Sequence, residues 1–448
     1  MTTRPIVRSA VPGPTGHPVL GMVPAFRRDP LGTLLAGFQR YGDVVAYRFG
    51  PRRGPRPLTQ SLVMAHHPDA IHEVLTTPRV FSRRTTGFQV LTELIGTGLL
   101  TSDGDVWLRQ RRTLQPLFTP RRVAGYTALM TAEAARIAAD PTVVMGSTVD
   151  LHQLMQLYTL RVVGRALFGD DVDDAVPELQ RLVPVLGDLA LARTLQVVRP
   201  PLSWPLPRTR RITRERAAQY AIVDRIIARH ARRGAGDNLL SRLSAARDPE
   251  TGQSLSTEEI RDQALVFLLA GHETTAGALT FTLHQLGRHP AAQDRVATAA
   301  ASDGGDSAAA DLVRAALLEG MRLYPPAYST ERLAGVDTTL SGYHVPAGTR
   351  VMLSSWITHR HPDFWPDPER YDPDRFTGQH QRPRYAYFPF GGGPRSCIGE
   401  HFALLEGTIL LRTLLARYRV EALDEKLRLA PMITLRPAEP VRAVLRPR

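Results

Sequence analysis

The sequence predicts a mainly α-helical fold with a small β region, on three observations. Helical periodicity dominates from residue 107 to about residue 323; Leu312, Ala316, Leu317 and Met321, for example, fall on one face. Residues 43–49 and 56–65 are short alternating stretches that suit a small sheet. From Tyr343 onward the pattern changes to short strands and proline-rich loops.

In chain order, residues 1–20 carry Arg4, Pro5, Arg8, Pro12, Pro14 and Pro18, which predicts an irregular opening segment. It holds no apolar run long enough for a signal peptide or membrane anchor. Ser256-Thr257-Glu258-Glu259 is a capping box, and no proline follows it until Pro290. That predicts one helix of about 30 residues, about 45 Å long. Residues 264–270 are apolar all round, so this middle is expected to be buried. Gly271-His272-Glu273-Thr274-Thr275 then interrupts it. Residues 233–237 and 301–310 read as surface loops, while residues 360–384 form a long aperiodic stretch of the kind that usually has a job. Helical character returns after Cys397 with Phe402, Leu405, Ile409, Leu410 and Leu414.

A glutamate and two threonines inside a buried helix are costly unless hydrogen-bonded. Thr274 can bond back to the Ala270 carbonyl, and Gly271 makes local distortion easy. Two readings follow. In one, Thr274 passes protons to bound dioxygen while Glu273 and ordered water recharge it. In the other, the residues form a polar patch that satisfies neighbouring helices. His272 is expected to face such a neighbour.

Cys397 is the only cysteine in the 448 residues, which excludes an intramolecular disulfide and fits a reducing cytoplasm. It sits in Phe390-Gly391-Gly392-Gly393-Pro394-Arg395-Ser396-Cys397-Ile398-Gly399, just before a helix N-terminus that favours negative charge. A thiolate donates electron density to haem iron and favours O–O cleavage. Glycines let the main chain come close to sulfur and porphyrin, and Arg395 offers a fixed fork for a propionate. The alternative is a buried structural cysteine in a Gly/Pro turn.

The formal charge is +13, yet of the 56 basic residues only Lys426 is lysine. That skew reads as a GC-rich coding bias. The densest cluster, Arg208, Arg210, Arg211, Arg214 and Arg216, suits a helix surface and has no interleaved aromatic platform. Nucleic-acid binding is therefore not expected, and docking of an acidic redox protein is the better use of a basic face.

Together these segments resemble the cytochrome P450 superfamily of haem-thiolate monooxygenases. Residues 270–275 are similar to its oxygen-activation motif and residues 390–399 to its haem-binding signature. Glu319-Gly320-Met321-Arg322 matches its E-x-x-R, and Pro373-Asp374-Arg375-Phe376 its P-x-R-F. Trp107-Leu108-Arg109-Gln110-Arg111 resembles its W-x-x-x-R. Matching segments run from Pro12 to about Thr434, almost the whole chain.

The resemblance implies one domain over residues 1–448, with haem b between the long central helix and the helix after the cysteine. It implies Cys397 as axial iron ligand and Arg395, Trp107, Arg111 and Arg332 around the propionates. Phe390, Gly391, Gly399 and Ala270 would line the haem, and Thr274 with Glu273 would serve oxygen activation. Glu319, Arg322 and Arg375 would form a buried structural network, although a Glu/Arg pair at i and i+3 is by itself an ordinary surface feature. O2 is the implied co-substrate. A fused reductase is not expected, and a separate ferredoxin and its reductase are the expected electron donors.

Substrate contacts would come from Phe88, Leu91 and Leu94, from residues 186–206, from Phe267, and from Ala327, Tyr328 and Ile433. Their mostly aliphatic character favours an apolar terpenoid or polyketide intermediate of secondary metabolism, hydroxylated or oxidatively coupled. The setting would be cytoplasmic, in a high-GC bacterium such as an actinomycete. The competing readings are a peroxide-using haem-thiolate peroxygenase or isomerase, with less need of the Glu273/Thr274 pair, and a non-catalytic haem or gas-binding protein.

Overall fold

The computed structural model describes residues 10–51, 60–169, 174–194, 196, 199–233, 238–302, 307–378 and 382–448. They form two compact units, one drawn from residues 1–86, 322–370 and 380–397, the other from 87–321, 371–379 and 398–448. Helices dominate, and the predicted opening strands are Val44–Phe49 and Gln60–Ala65; residues 56–59 of the expected second strand lie outside the described residues. Residues 10–20 contain no helix, as expected, and residues 1–9 are also outside.

In the first unit those two strands pair antiparallel, from Val44 opposite Ala65 to Phe49 opposite Gln60. The second then pairs parallel with Arg350–Leu353, which runs antiparallel to Thr330–Ala334, itself paired with Phe81–Ser82. The strand Thr330–Ala334 begins before the expected change of pattern at Tyr343. Its alternation is masked because Arg332 is itself buried, so no hydrophobic period shows.

The aperiodic segment after residue 355 is ordered by one side chain. Arg322 has no exposed surface. Its guanidinium donates to the carbonyls of His359 at 2.9 Å, Pro368 at 2.7 Å and Arg370 at 3.0 Å. It also lies 5.1 Å from the Trp365 ring centroid, and Trp365 Nε1 donates to the Ala386 carbonyl at 3.2 Å.

In the second unit the helix Thr257–Arg288 is the central element, opened by the complete Ser256/Glu259 capping box. It packs most extensively on Leu151–Phe168. Gly271 lies inside this unbroken helix; a Cβ there would stand 3.1 Å from Val163 Cγ2, so the glycine permits close approach of the neighbouring helix. The expected burial of residues 264–270 fails at its end, because Ala270 is exposed. Among the described residues this helix alone is long and apolar enough to cross a bilayer, and most of it is buried within the fold.

The Glu319 carboxylate is fully buried in this unit, which removes the surface-pair alternative. It accepts the Asp372 N–H at 2.9 Å and stands 3.5 Å from Arg375 Nε, while Tyr371 donates to the Ala316 carbonyl. The arginines at 208, 210, 211 and 214 are exposed on the helix Pro207–Arg233. The expected loop at 301–310 is shorter: helices reach Ala301 and resume at Ser307, with residues 303–306 outside the described set, as are 234–237.

Removing one partner from a buried pair leaves the other charge uncompensated. Glu319→Ala is expected to lower stability by about 3 kcal/mol or more, whereas Arg295→Ala, which breaks an exposed pair with Asp374, should cost less than about 1 kcal/mol. Denaturant unfolding followed by circular dichroism compares the two.

Candidate active site

The cysteine hairpin lies in the first unit. Cys397 N–H donates to the Phe390 carbonyl at 2.9 Å and closes the turn. Gly393 adopts φ +65, and a Cβ there would stand 2.2 Å from the Leu75 carbonyl oxygen, so no other residue fits. The end of the helix Pro68–Thr76 thus braces the hairpin. Gly391 also has positive φ, but a Cβ there would meet nothing within 4 Å, so one face of the turn is open. Cys397 is exposed and not in a disulfide, which overturns the buried structural alternative. Phe390 and Arg395 are half-buried on the same hairpin.

Gly399 N-caps the helix Glu400–Leu415, which begins three residues after the cysteine. Arg332, elsewhere in the first unit, is buried and donates to Thr330 Oγ1 at 3.1 Å and the Glu331 carbonyl at 2.8 Å. Ala327 is exposed and Tyr328 half-buried. Burial pushes the Tyr328 phenol up to about 12, with the Ser329 side chain opposing. It is therefore a neutral hydroxyl at physiological pH.

The oxygen-motif segment lies in the second unit. Residues 263–268 are buried, whereas Ala270 is exposed and Gly271, Glu273 and Thr274 are half-covered. A partly covered strip one turn long in the middle of a packed helix is where a flat group can lie. Thr274 Oγ1 donates to the Ala270 carbonyl at 2.6 Å, so its hydroxyl is held at that strip. Burial raises the Glu273 carboxyl, an effect opposed by the Thr434 side chain and the Arg436 charge. Arg436 in turn donates to Asp188 at 2.7 Å.

His272 points elsewhere, as expected. It is buried with Nδ1 3.0 Å from Thr159 Oγ1, and the Thr159 hydroxyl reaches the His272 carbonyl at 3.1 Å. Burial lowers its imidazole to about 3, with His152 adding to the effect, so it stays neutral and exchanges no protons near pH 7.

The remaining candidates divide. Trp107 and Arg111 sit four residues apart on the helix Gly104–Leu114 and so share a face. Both are half-buried, and the flanking arginines are tied up elsewhere, Arg109 with Glu259 and Arg112 with Asp248. Trp107 and Leu91 pack at the margin of one apolar cluster that buries Leu94 and Phe267. Leu94 is 1% exposed, so it is packed core rather than open wall. Phe267 packs edge-on against Phe118 at 5.0 Å. Phe88 is half-buried and Ile433 exposed. In the stretch 186–206, Trp204 and Leu206 face solvent.

Two contributors were not anticipated. Thr159 holds His272 from a helix more than a hundred residues away, with no sequence signal. Arg436 lies on the short strand Leu435–Pro437, two residues beyond Thr434, and its proximity in sequence to that residue was the only available signal.

The residues present suit a haem. They supply an exposed thiol on an open glycine turn, guanidinium groups that suit carboxylates, and an uncovered helical strip carrying a hydroxyl. The family model described as Cytochrome P450 matches residues 11–442. Cyclooctat-9-en-7-ol 5-monooxygenase of Streptomyces melanosporofaciens is 35% identical over 429 residues, 93% of this chain and 90% of the relative. Cyclooctatin synthase of the same species is 33% identical, covering 97% of this chain and 95% of the relative. Pentalenene oxygenase of Streptomyces avermitilis is 31% identical, covering 94% and 93%.

Because burial raises the Glu273 carboxyl above its ordinary value of 4.5, the folded chain holds that proton to higher pH than the unfolded chain. Wild-type stability therefore falls as pH rises from the ordinary carboxyl value through the raised one. Glu273→Gln lacks this loss. Its melting temperature relative to wild type is expected to climb across that window and to level off above it; a flat difference from acid to neutral pH would count against the raised carboxyl.

Proposed function

This chain belongs to the cytochrome P450 family, and from that premise we propose that it oxidises an apolar, terpenoid-like carbocycle with electrons delivered by a separate ferredoxin and reductase. The family's monooxygenases work with haem b and O2. A single family match spanning both compact units supports reading them as one domain. The observation that carries the site is the exposed Cys397 thiol on an open hairpin. The substrate class is supported by relatives whose names specify a cyclooctatenol monooxygenase and a pentalenene oxygenase, each matched over nearly its whole length.

Haem b, when bound, supplies the iron at which O2 is activated. Cys397 would hold that iron as a thiolate, and the open face of the turn at Gly391 would leave room for the group beside the main chain. Arg395, Arg332, Trp107 and Arg111 would hold the propionates by charge and N–H donation. Thr274 would deliver protons from Oγ1, breaking its bond to the Ala270 carbonyl as it does so. Glu273, whose raised carboxyl keeps a proton available closer to neutral pH, would resupply it. Phe88, Leu91, Phe267, Ala327, Tyr328 and Ile433 would shape the apolar side of the site. The arginine-rich surface suits an acidic electron donor.

Thr274→Ala is expected to raise peroxide release and lower product per electron while leaving haem content unchanged; unaltered coupling would remove Thr274 from the relay. Cys397→Ser should abolish oxygenation and the thiolate-type ferrous-CO spectrum. For the substrate, terpene hydrocarbons are expected to drive a low-to-high-spin shift of the ferric haem, and indole or peptide-derived aromatics none. The reverse pattern would discard the terpenoid reading and keep the oxygenase.

A further inference from the structure

The helix Gly104–Leu114 divides its cationic and aromatic side chains between two sides. At about 100° per residue, Trp107 and Arg111 share one side while Arg109 and Arg112 lie roughly opposite. The second pair is gripped by a single short segment, residues 248–259, at the entry to the long helix. Arg112 donates from Nε to Asp248 Oδ1 at 3.1 Å and from Nη2 to Oδ2 at 3.0 Å. Its Nη1 stands 2.5 Å from Glu250 Oε2. Arg109 donates to Glu259 Oε1, while the other oxygen of that carboxylate accepts the Ser256 N–H at 2.9 Å. The carboxylate that caps the long helix therefore also holds the shorter one.

Asp248 is buried, a costly place for a carboxylate unless its oxygens are hydrogen-bonded. Both are in use beyond the arginine. Thr251 Oγ1 donates to Oδ2 at 2.8 Å, and the Glu250 N–H reaches Oδ1 at 3.4 Å. The main chain closes the same turn. Asp248 N–H donates to the Gln253 carbonyl at 2.9 Å, and the Asp248 carbonyl accepts from Gly252 at 2.8 Å. Leu255 then anchors the segment in the apolar cluster at whose margin Trp107 packs. Hydrogen bonding to Arg112 holds the Asp248 carboxyl below the usual carboxylate range, so the pair stays charged at neutral pH.

Apolar side chains of similar volume hold two segments together as well as a buried ion pair does. What a two-point guanidinium–carboxylate contact adds is a fixed orientation. Groups that bind through directed hydrogen bonds need supporting contacts that hold them to within about 0.5 Å. We propose that Asp248 and Glu259 are positioning residues that fix the rotation of the helix Gly104–Leu114, on the reading that Trp107 and Arg111 meet a haem propionate. Gln110 completes the hold from the buried side of the helix. Its Nε2 donates to the Thr97 carbonyl at 3.0 Å, and its Oε1 accepts from Ser102 Oγ at 2.8 Å.

Haem transfer from the ferric holoenzyme to excess apomyoglobin tests this. Arg111→Gln is expected to speed haem loss about tenfold, the effect of one charge-assisted hydrogen bond. Asp248→Asn, whose amide sets a donor against the Arg112 fork, should speed it by about the same factor. A positioning residue acts through the group it positions, so the double variant should lose haem no faster than Arg111→Gln. Gln293→Leu is the control for general destabilisation. It removes buried hydrogen bonds to Leu286 and Val420 elsewhere in the same unit and should lose haem at the wild-type rate. Circular dichroism checks each fold. If Asp248→Asn yields no folded holoenzyme, Glu259→Gln carries the same test, because its amide oxygen still accepts the Ser256 N–H. Haem loss at the wild-type rate in Asp248→Asn, with Arg111→Gln fast, would overturn the positioning role and leave the propionate reading standing. Wild-type haem loss in Arg111→Gln would remove both. Effects that multiply to about a hundredfold in the double variant, or a Gln293→Leu as fast as Asp248→Asn, would show a general stability effect and overturn the proposal.

Discussion

A buried guanidinium takes the place of secondary structure in the segment that leads to the cysteine hairpin. Burying an unpaired main-chain carbonyl is expensive, and most residues after the short helix Ser355–Thr358 lack the regular ladder that would pair theirs. Arg322 supplies donors to the carbonyls of three of them and stacks against Trp365. Its own charge costs on the order of several kcal/mol to desolvate, and these charge-assisted hydrogen bonds and the cation–π contact offset that cost. His359 then accepts the Phe388 N–H at 2.9 Å, and the Phe390 carbonyl accepts from Cys397. The position of the thiol rests on this chain of contacts as much as on the glycines beside it.

The long helix solves the opposite problem, polar residues inside a regular element. Each finds a different solution. Thr274 and Thr280 bond back to carbonyls four residues earlier, His272 is neutral and meets Thr159, and Glu273 is a raised carboxyl. Away from its two ends, the helix is exposed only at Ala270. His272 belongs to the packing, as the polar-patch reading expects, whereas Thr274 and Glu273 are only half covered, next to the exposed Ala270.

Arginine plays two roles in this chain, separated by burial. Arg112 with Asp248, Arg193 with Glu93 and Arg375 with Glu319 tie distant segments together with groups that are largely covered. The arginines at 208, 210 and 211 do nothing of the kind. A net charge of +13 says how many arginines are unmatched overall but not where.

Local chemistry was legible without coordinates. The Ser256/Glu259 cap, the run to Pro290, the glycine hairpin around Cys397 and the early strand pair all depend on neighbours within a few residues, so the order of residue types suffices. Partners far apart in sequence were not legible. Nothing periodic joins Gln60–Ala65 to Arg350–Leu353, Thr159 to His272, or Arg322 to the carbonyls it holds. Burial likewise followed the fold rather than the pattern: Glu319, which its spacing alone would leave on the surface, has no exposed surface, in line with what the resemblance implied, while Ala270 looked buried and is exposed, and Leu94 looked like pocket wall and is core. The sequence alone determined which chemical groups are available and which short turns and helices carry them, because those are near-neighbour effects. Tertiary structure decided which groups meet water and which meet each other, because desolvation and long-range pairing depend on what the chain brings together from elsewhere.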